Sequence, residues 1–283
     1  MELFATYGLN FAFAFATMAL VVLGLAVAFG LLGVMNMAHG EFVAIGAYSV
    51  LVVQQAGLPF VLAVPLAIVV CAIVGALIEW LVIRHLYRRP FDTLLATWGV
   101  AILMRKGIEV SFGRAFRSVD PVMPGTIKAF GIEYPSYRVL LIVLVSVLFV
   151  ALYLWYQRSN TGVRIKAMVQ NPGLAAALGI DTSRLSRMTF IAGVIMAGIA
   201  GVVIAPLVKV APLMGFDYLL NSFFVLVVGG LGSIPGLLTG AAVISGSDTV
   251  LSSIFNQSAG YVGVLLISIL FLWIRPNGIC SGR

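Results

Sequence analysis

Apolar residues run along this chain in long blocks, and the lengths of those blocks predict its elements. A helix needs about 20 consecutive apolar residues to cross the hydrocarbon core of a bilayer. Blocks of that order occupy 9–33, 60–83, 139–157, 188–208 and 259–274. Shorter or interrupted ones lie at 42–53, 93–112, 219–230 and 236–255. The pattern predicts an all-α, polytopic membrane helix bundle of about eight segments, eight to ten at the limits. It is read as one transmembrane domain over residues 1–283.

One polar stretch stands out against these blocks, TGVRIKAMVQNPGLAAALGIDTSRLSR at 161–187. Arg158, Arg164, Lys166, Arg184 and Arg187 lie in or beside it against one acid, Asp181. Flanking Lys and Arg resist translocation, so the loop at 158–187 belongs on the cytoplasmic side. The loop at 84–90, with Arg84, Arg88 and Arg89, belongs there too. The mixed stretch 105–138 is then outside, because two crossings must separate the inner loops. Within the basic loop, 164–169 reads as a short helix and Asn171-Pro172 as a break with Pro opening a second helix. Residues 175–178 form that second helix, and Gly179 stops it. A short apolar-faced helix held in the cytoplasm by two spans is a docking element; the plainer alternative is a solvated connection.

Two glycine-rich interruptions fall in the two halves of the chain: GVMNMAHGE at 33–41 and GGLGSIPG at 229–236. Each separates a helix from an apolar segment too short to cross alone. Broken helices at matching places point to a solute path, because freed backbone groups persist only where protein or water satisfies them. The alternative is that glycine only permits tight packing or a turn. Candidate path residues are Asn36, His39, Glu41, Thr93, Thr97, Asn221, Ser222, Gly230, Gly232 and Ser233, and the two breaks are expected to approach each other. Other polar residues have milder readings: Glu79 in an interfacial ion pair with Arg84, Asp92 capping a helix that begins at Thr93, and Lys209 and Asp217 in an external loop. Gly193, Ala197, Gly201 and Ala205 recur every fourth residue, a ridge of small side chains suited to close helix contact.

Composition removes several classes of function. Hydrophobic residues make up 61% of the chain and charged residues 10%, with a mean hydropathy of +1.12. A soluble domain carries about 25% charged residues. The net charge of +7 sits in loops between spans, as orientation signals do, and no aromatic residues alternate with it as a nucleic-acid surface requires. Cys71, Cys280, His39 and His85 are too scattered for a metal site, a disulfide framework or a catalytic triad. Pro235 occupies the third glycine position of a dinucleotide fingerprint, and no phosphate-binding loop occurs, so ATP hydrolysis by this chain is not expected. Residues 1–10 carry no cation and precede a long apolar run, so insertion without a cleaved signal peptide is expected.

Four ordered motifs carry a resemblance over nearly the whole chain: GLLGVMNMAHGEFVAIGAY (30–48), RPFDTLLATWGV (89–100), TGVRIKAMVQNPGLAAALGI (161–180) and VVGGLGSIPG (227–236). Together with the closing RPNG (275–278), they resemble the permease subunits of bacterial ABC importers for branched-chain amino acids and urea. The resemblance implies a complex in the inner membrane: a second homologous permease, two cytoplasmic ATPases that bind ATP and Mg, and an extracytoplasmic solute-binding protein. It implies no cofactor in this chain. It also implies that the loop docks on the ATPase through Gly162, Arg164, Ala167, Asn171, Ala175, Ala176, Leu178, Gly179 and Ile180. The LLATWG run and YLLNSFFVLVVGG resemble urea and short-amide permeases more closely. The candidate path groups are mostly neutral, which also favours urea or an amide; the alternative is a branched-chain amino acid. A zwitterion would need separate partners for carboxylate and ammonium and an apolar bay. A more distant alternative is a proton-coupled transporter or channel, for which Glu41, Glu79 and Asp248 are the titratable candidates.

Overall fold

The computed structural model describes residues 2–33, 36–86, 89–129, 131–230, 234–275 and 278–280. In chain order its helices are α1 (Glu2–Leu32), α2 (His39–Gln55), α3 (Ala63–Leu81), α4 (Pro90–Phe112), α5 (Ser136–Arg158), α6 (Asn160–Gln170) and α7 (Pro172–Ala177), followed by α8 (Thr182–Ile204), α9 (Met214–Gly229), α10 (Ile234–Ile254) and α11 (Gln257–Ile274). Between α4 and α5 lies a small antiparallel hairpin, β1 (Thr126–Ala129) and β2 (Ile132–Pro135).

Among the described residues, six helices are long and apolar enough to cross a membrane: those at 4–29, 60–85, 136–158, 182–207, 234–254 and 257–274. α2, α4 and α9 join them in one bundle, in keeping with the expected eight to ten segments. α9 is apolar but only 16 residues long, and α2 is 17. Each apolar block coincides with a helix over most of its length, but the ends differ. α1 begins at Glu2, and α2 starts at His39, so His39 and Glu41 belong to a helical first turn rather than to the break. α4 continues to Phe112, the end of the apolar block at 93–112, and stops at Gly113, whose φ is 81°, so the stretch from 105 opens with the last turns of a helix. Arg105 therefore stands on a helix. The hairpin beyond it escaped notice because strands of four residues leave no readable alternation. It is tied to α1 by Tyr134, whose hydroxyl donates to Asn10 Oδ1 at 3.0 Å.

The small-residue ridge on α8 is buried and holds the bundle together. Lipid tails are as apolar as Leu, so helices gain nothing by hiding side chains from them, and close backbone packing joins them instead. A Cβ on Gly24 of α1 would strike the Gly193 carbonyl oxygen. One on Gly46 of α2 would strike that of Gly198, and one on Gly201 that of Val43. Gly198 also faces Cys71 of α3, so α1, α2 and α3 all seat on α8. Elsewhere Gly229 and Gly240 bring α9 against α10 in the same way. Apolar side chains such as Phe42, Val43, Phe190, Val194 and Ala197 fill the space between these contacts.

Gly201→Leu should therefore cost about 1–3 kcal/mol or more by overpacking, seen as loss of the folded, monodisperse protein in detergent. Gly107→Ala, in α4 with nothing near its Cβ position, should be neutral or gain up to about 1 kcal/mol of helix propensity.

Candidate translocation site

The first break is held by polar groups that reach backbone. Gly33 takes a φ of 61° and ends α1. Asn36 Oδ1 accepts from the Ala38 amide at 3.0 Å, and Thr97 Oγ1 of α4 accepts from the Met37 amide at 3.1 Å. His39 is buried and its Nε2 donates to the Val21 carbonyl at 2.9 Å. Gly40 lies against Gly215, so the first turns of α2 and α9 touch.

Beside that junction is a buried ion pair that the sequence did not reveal. Glu41 is 1% exposed. Arg105 of α4 reaches it with Nε at 3.0 Å and Nη2 at 2.6 Å, both on Oε1. Oε2 has no hydrogen-bond partner among the described residues. The Arg105 guanidinium also lies 5.4 Å from the Phe216 ring centroid, and Phe216 meets Trp98 edge-on at 6.3 Å. Met37, Trp98, Ile102, Arg105, Phe216 and Leu219 line a cavity of about 160 Å³ here, a volume suited to one small solute rather than a drug-sized ligand. The available signal was an arginine inside an apolar segment, masked by its assignment to the outer loop.

Most other predicted path residues direct their hydrogen bonds locally. Thr93 donates to the carbonyls of Leu86 at 2.8 Å and Arg89 at 2.9 Å, Thr97 to Leu94 at 3.1 Å and Ser222 to Tyr218 at 2.7 Å. Asn221 is half-buried on α9. Gly232 and Ser233 lie outside the described residues. Gly230 has a φ of 104°, and the segment after α11 braces it: Ile279 and Cys280 donate to the Val228 and Gly229 carbonyls at 3.0 and 2.9 Å. Gly215 and Gly230 close opposite ends of α9, which at 1.5 Å per residue are about 20 Å apart. The start of α2 at Gly40 therefore lies at the opposite end of α9 from Gly230.

Two readings of acidic residues also change. Glu79 pairs with Arg187 of α8 at 3.3 Å, while Arg84 lies over the Trp80 ring at 5.8 Å. α4 begins at Pro90, so Asp92 sits within its first turn and pairs with Arg89 at 3.6 Å instead of capping.

The basic loop is a scaffold with an exposed face. α6 runs over Asn160–Gln170 and α7 over Pro172–Ala177, each longer or earlier than the sequence suggested because its cap precedes it. Ser159 Oγ accepts from Gly162, Asn171 Oδ1 from Leu174 and Asp181 Oδ1 from Arg184, all at 2.9 Å. Such caps stabilise a helix start by about 1 kcal/mol. Gly179, at a φ of 82°, ends the turn as expected. Gly162 is buried where a Cβ would strike the Tyr156 carbonyl. Ile165, Met168, Ala175 and Leu185 form a small core, with Ala167 and Ile180 packed against it. Arg164, Asn171, Ala176 and Gly179 are exposed, as are Leu174 and Leu178 at 58% and 73%.

A family model described as branched-chain amino acid transport system, permease component, matches residues 7–274. The chain belongs to this family. It is 26% identical over 284 residues to the high-affinity branched-chain amino acid permease protein LivH of Salmonella typhimurium, covering 93% of this chain and 91% of that one. The probable LivH of Methanocaldococcus jannaschii is 27% identical, with 93% and 88% covered. LivM of Salmonella typhimurium is 28% identical, with 93% and 68% covered. In fold, the permease resembles a chain of PsaBC from Streptococcus pneumoniae solved in complex with Fab (TM-score 0.54, 11% identity, 95% and 91% covered). It is a multi-pass membrane protein of the ABC-importer permease type.

In this permease, Arg105→Gln leaves the Glu41 carboxylate buried without its cation and should cost about 3–5 kcal/mol. Glu41→Gln combined with Arg105→Gln should recover part of that loss. Thermal melts of the two single variants and the double variant measure the coupling; strictly additive losses would show that the pair is not an interacting unit.

Proposed function

We propose that this permease moves branched-chain amino acids across the bacterial cytoplasmic membrane, as one of two permease subunits in an ABC importer. The observation that carries the substrate class is Arg105 at the apolar cavity: a fixed cation for a carboxylate, beside hydrocarbon for a branched side chain. The names of the relatives point the same way. The leaning toward urea or an amide finds no support among them. Its physical basis also weakens, since Asn36, Thr93, Thr97 and Ser222 have backbone partners and are not idle donors and acceptors.

The partners follow from the same reading. LivH and LivM are both similar to this chain, which supports a second, homologous permease. The exposed face of α6 and α7 is the docking element for a cytoplasmic ATPase, with Ala176, Leu178 and Arg164 outward and Ile165, Met168 and Ala175 holding the shape. Hydrolysis of ATP with Mg belongs to that partner. A solute-binding protein delivers the amino acid from the other side.

Labelled leucine and urea offered in competition to the reconstituted importer test the substrate: leucine uptake should be saturable and insensitive to excess urea, and urea uptake inhibited by acetamide would reverse the reading. Ala176→Glu tests the docking face, because it places a charge at an exposed position without disturbing the small core. Uptake should fall by at least about tenfold, a loss of ~1.4 kcal/mol in coupling, while the chain still inserts; unchanged uptake would remove the docking role. Gly179→Pro is a harsher variant, since proline cannot adopt the positive φ found there.

A further inference from the structure

The Arg105–Glu41 pair is only half used. Both guanidinium bonds fall on one carboxylate oxygen, and Nη1 makes no hydrogen bond among the described residues. A guanidinium has five donors arranged to grip a carboxylate with two of them. Behind that guanidinium, Glu41 Oε2 is buried against Gly215 and has no donor among the described residues. A buried polar atom without a partner needs a reason, and a cation at the cavity wall with an under-used carboxylate directly behind it suits a ligand that carries both charges. The touching first turns of α2 and α9 add the positive ends of two helices. The cavity wall from Met37, Trp98, Ile102, Phe216 and Leu219 is apolar.

We propose that this cavity is a transit site for the zwitterionic amino acid, in which Arg105 receives the α-carboxylate, Glu41, once released from Arg105, the α-ammonium, and the apolar wall the side chain. The proposal rests on the amino-acid reading above and deepens it by assigning residues. The solute enters as a competitor for Arg105, exchanging an internal ion pair for one with itself. The substitution of one pairing for another keeps the net desolvation cost of the charges small, whereas a neutral solute would leave both groups as they are. Because α4 packs mainly on α2 among the described residues, the exchange also weakens the link between those helices, a response to the solute that the ATPases can exploit.

The test uses the complete importer in nanodiscs, with Ile102→Cys in a Cys71→Ala/Cys280→Ala background and alkylation of this chain followed by mass spectrometry. Leucine at about twice its dissociation constant should slow alkylation about threefold in at least one nucleotide state, following 1 + [L]/Kd. Leucinamide, which lacks the carboxylate, and urea should not slow it. Adding Glu41→Gln and Arg105→Gln together should abolish protection by leucine while alkylation without ligand persists, a combination chosen because it leaves no lone buried charge. Absence of protection in every nucleotide state overturns the proposal, as does equal protection by leucinamide or in the double variant. Leucine uptake by the wild-type importer, measured in parallel, separates the two claims: uptake without protection defeats this site alone, and no leucine uptake defeats the substrate reading with it.

Discussion

Backbone-to-backbone approach through glycine is the constraint on which this bundle depends. In water, burial of apolar area would decide which helices meet; in lipid that drive is absent between equally apolar surfaces, and only the depth of contact distinguishes one packing from another. Gly193, Gly198 and Gly201 let α8 receive α1, α2 and α3 at distances no side chain would permit. Through Gly24 and Gly46, the helices on either side of the first break are both seated on α8.

The same closeness makes short helices possible. α2 and α9 are brief, and their first turns meet inside the protein at Gly40 and Gly215. Backbone freed there cannot turn to water, so Thr97 and Asn36 supply acceptors in its place. At the far end of α9, the segment at 278–280 does this for Val228 and Gly229. Into this protein-lined junction comes Arg105, and the Glu41 carboxylate neutralises it. A charge pair in such surroundings is a weak source of stability but a sensitive one, since removing either partner exposes the cost of the other.

The loop at 158–187 follows a different logic. Three side-chain caps and a core of four small or medium residues give it a fixed shape without membrane support. Glu79 and Arg187 then join α3 to the start of α8, the helix on which α1, α2 and α3 are seated. Leu174 and Leu178 stay exposed on its surface.

The apolar blocks, the basic loop, the two glycine breaks and the small-residue ridge were legible in the sequence because each is a local pattern: a run of length, a cluster of charge, a fixed spacing. Gly179 as a stop and Asn171-Pro172 as a junction belong with them, since capping needs only neighbours. Element ends were less legible, because caps such as Ser159 lie outside the apolar runs that drew attention. What only the tertiary structure decided were pairings between distant residues. Glu41 meets Arg105 and Glu79 meets Arg187 across long sequence separations, and nearby partners such as Arg84 were the natural but mistaken choice. Asn36, Thr93, Thr97 and Ser222, neutral residues that suggested an uncharged solute, are bonded to backbone, and Arg105 stood where the apolar block at 93–112 overlaps the stretch read as an outer loop. Spacing along the chain determines which helix face a residue occupies; which face it then confronts is set by how closely glycine lets the helices approach.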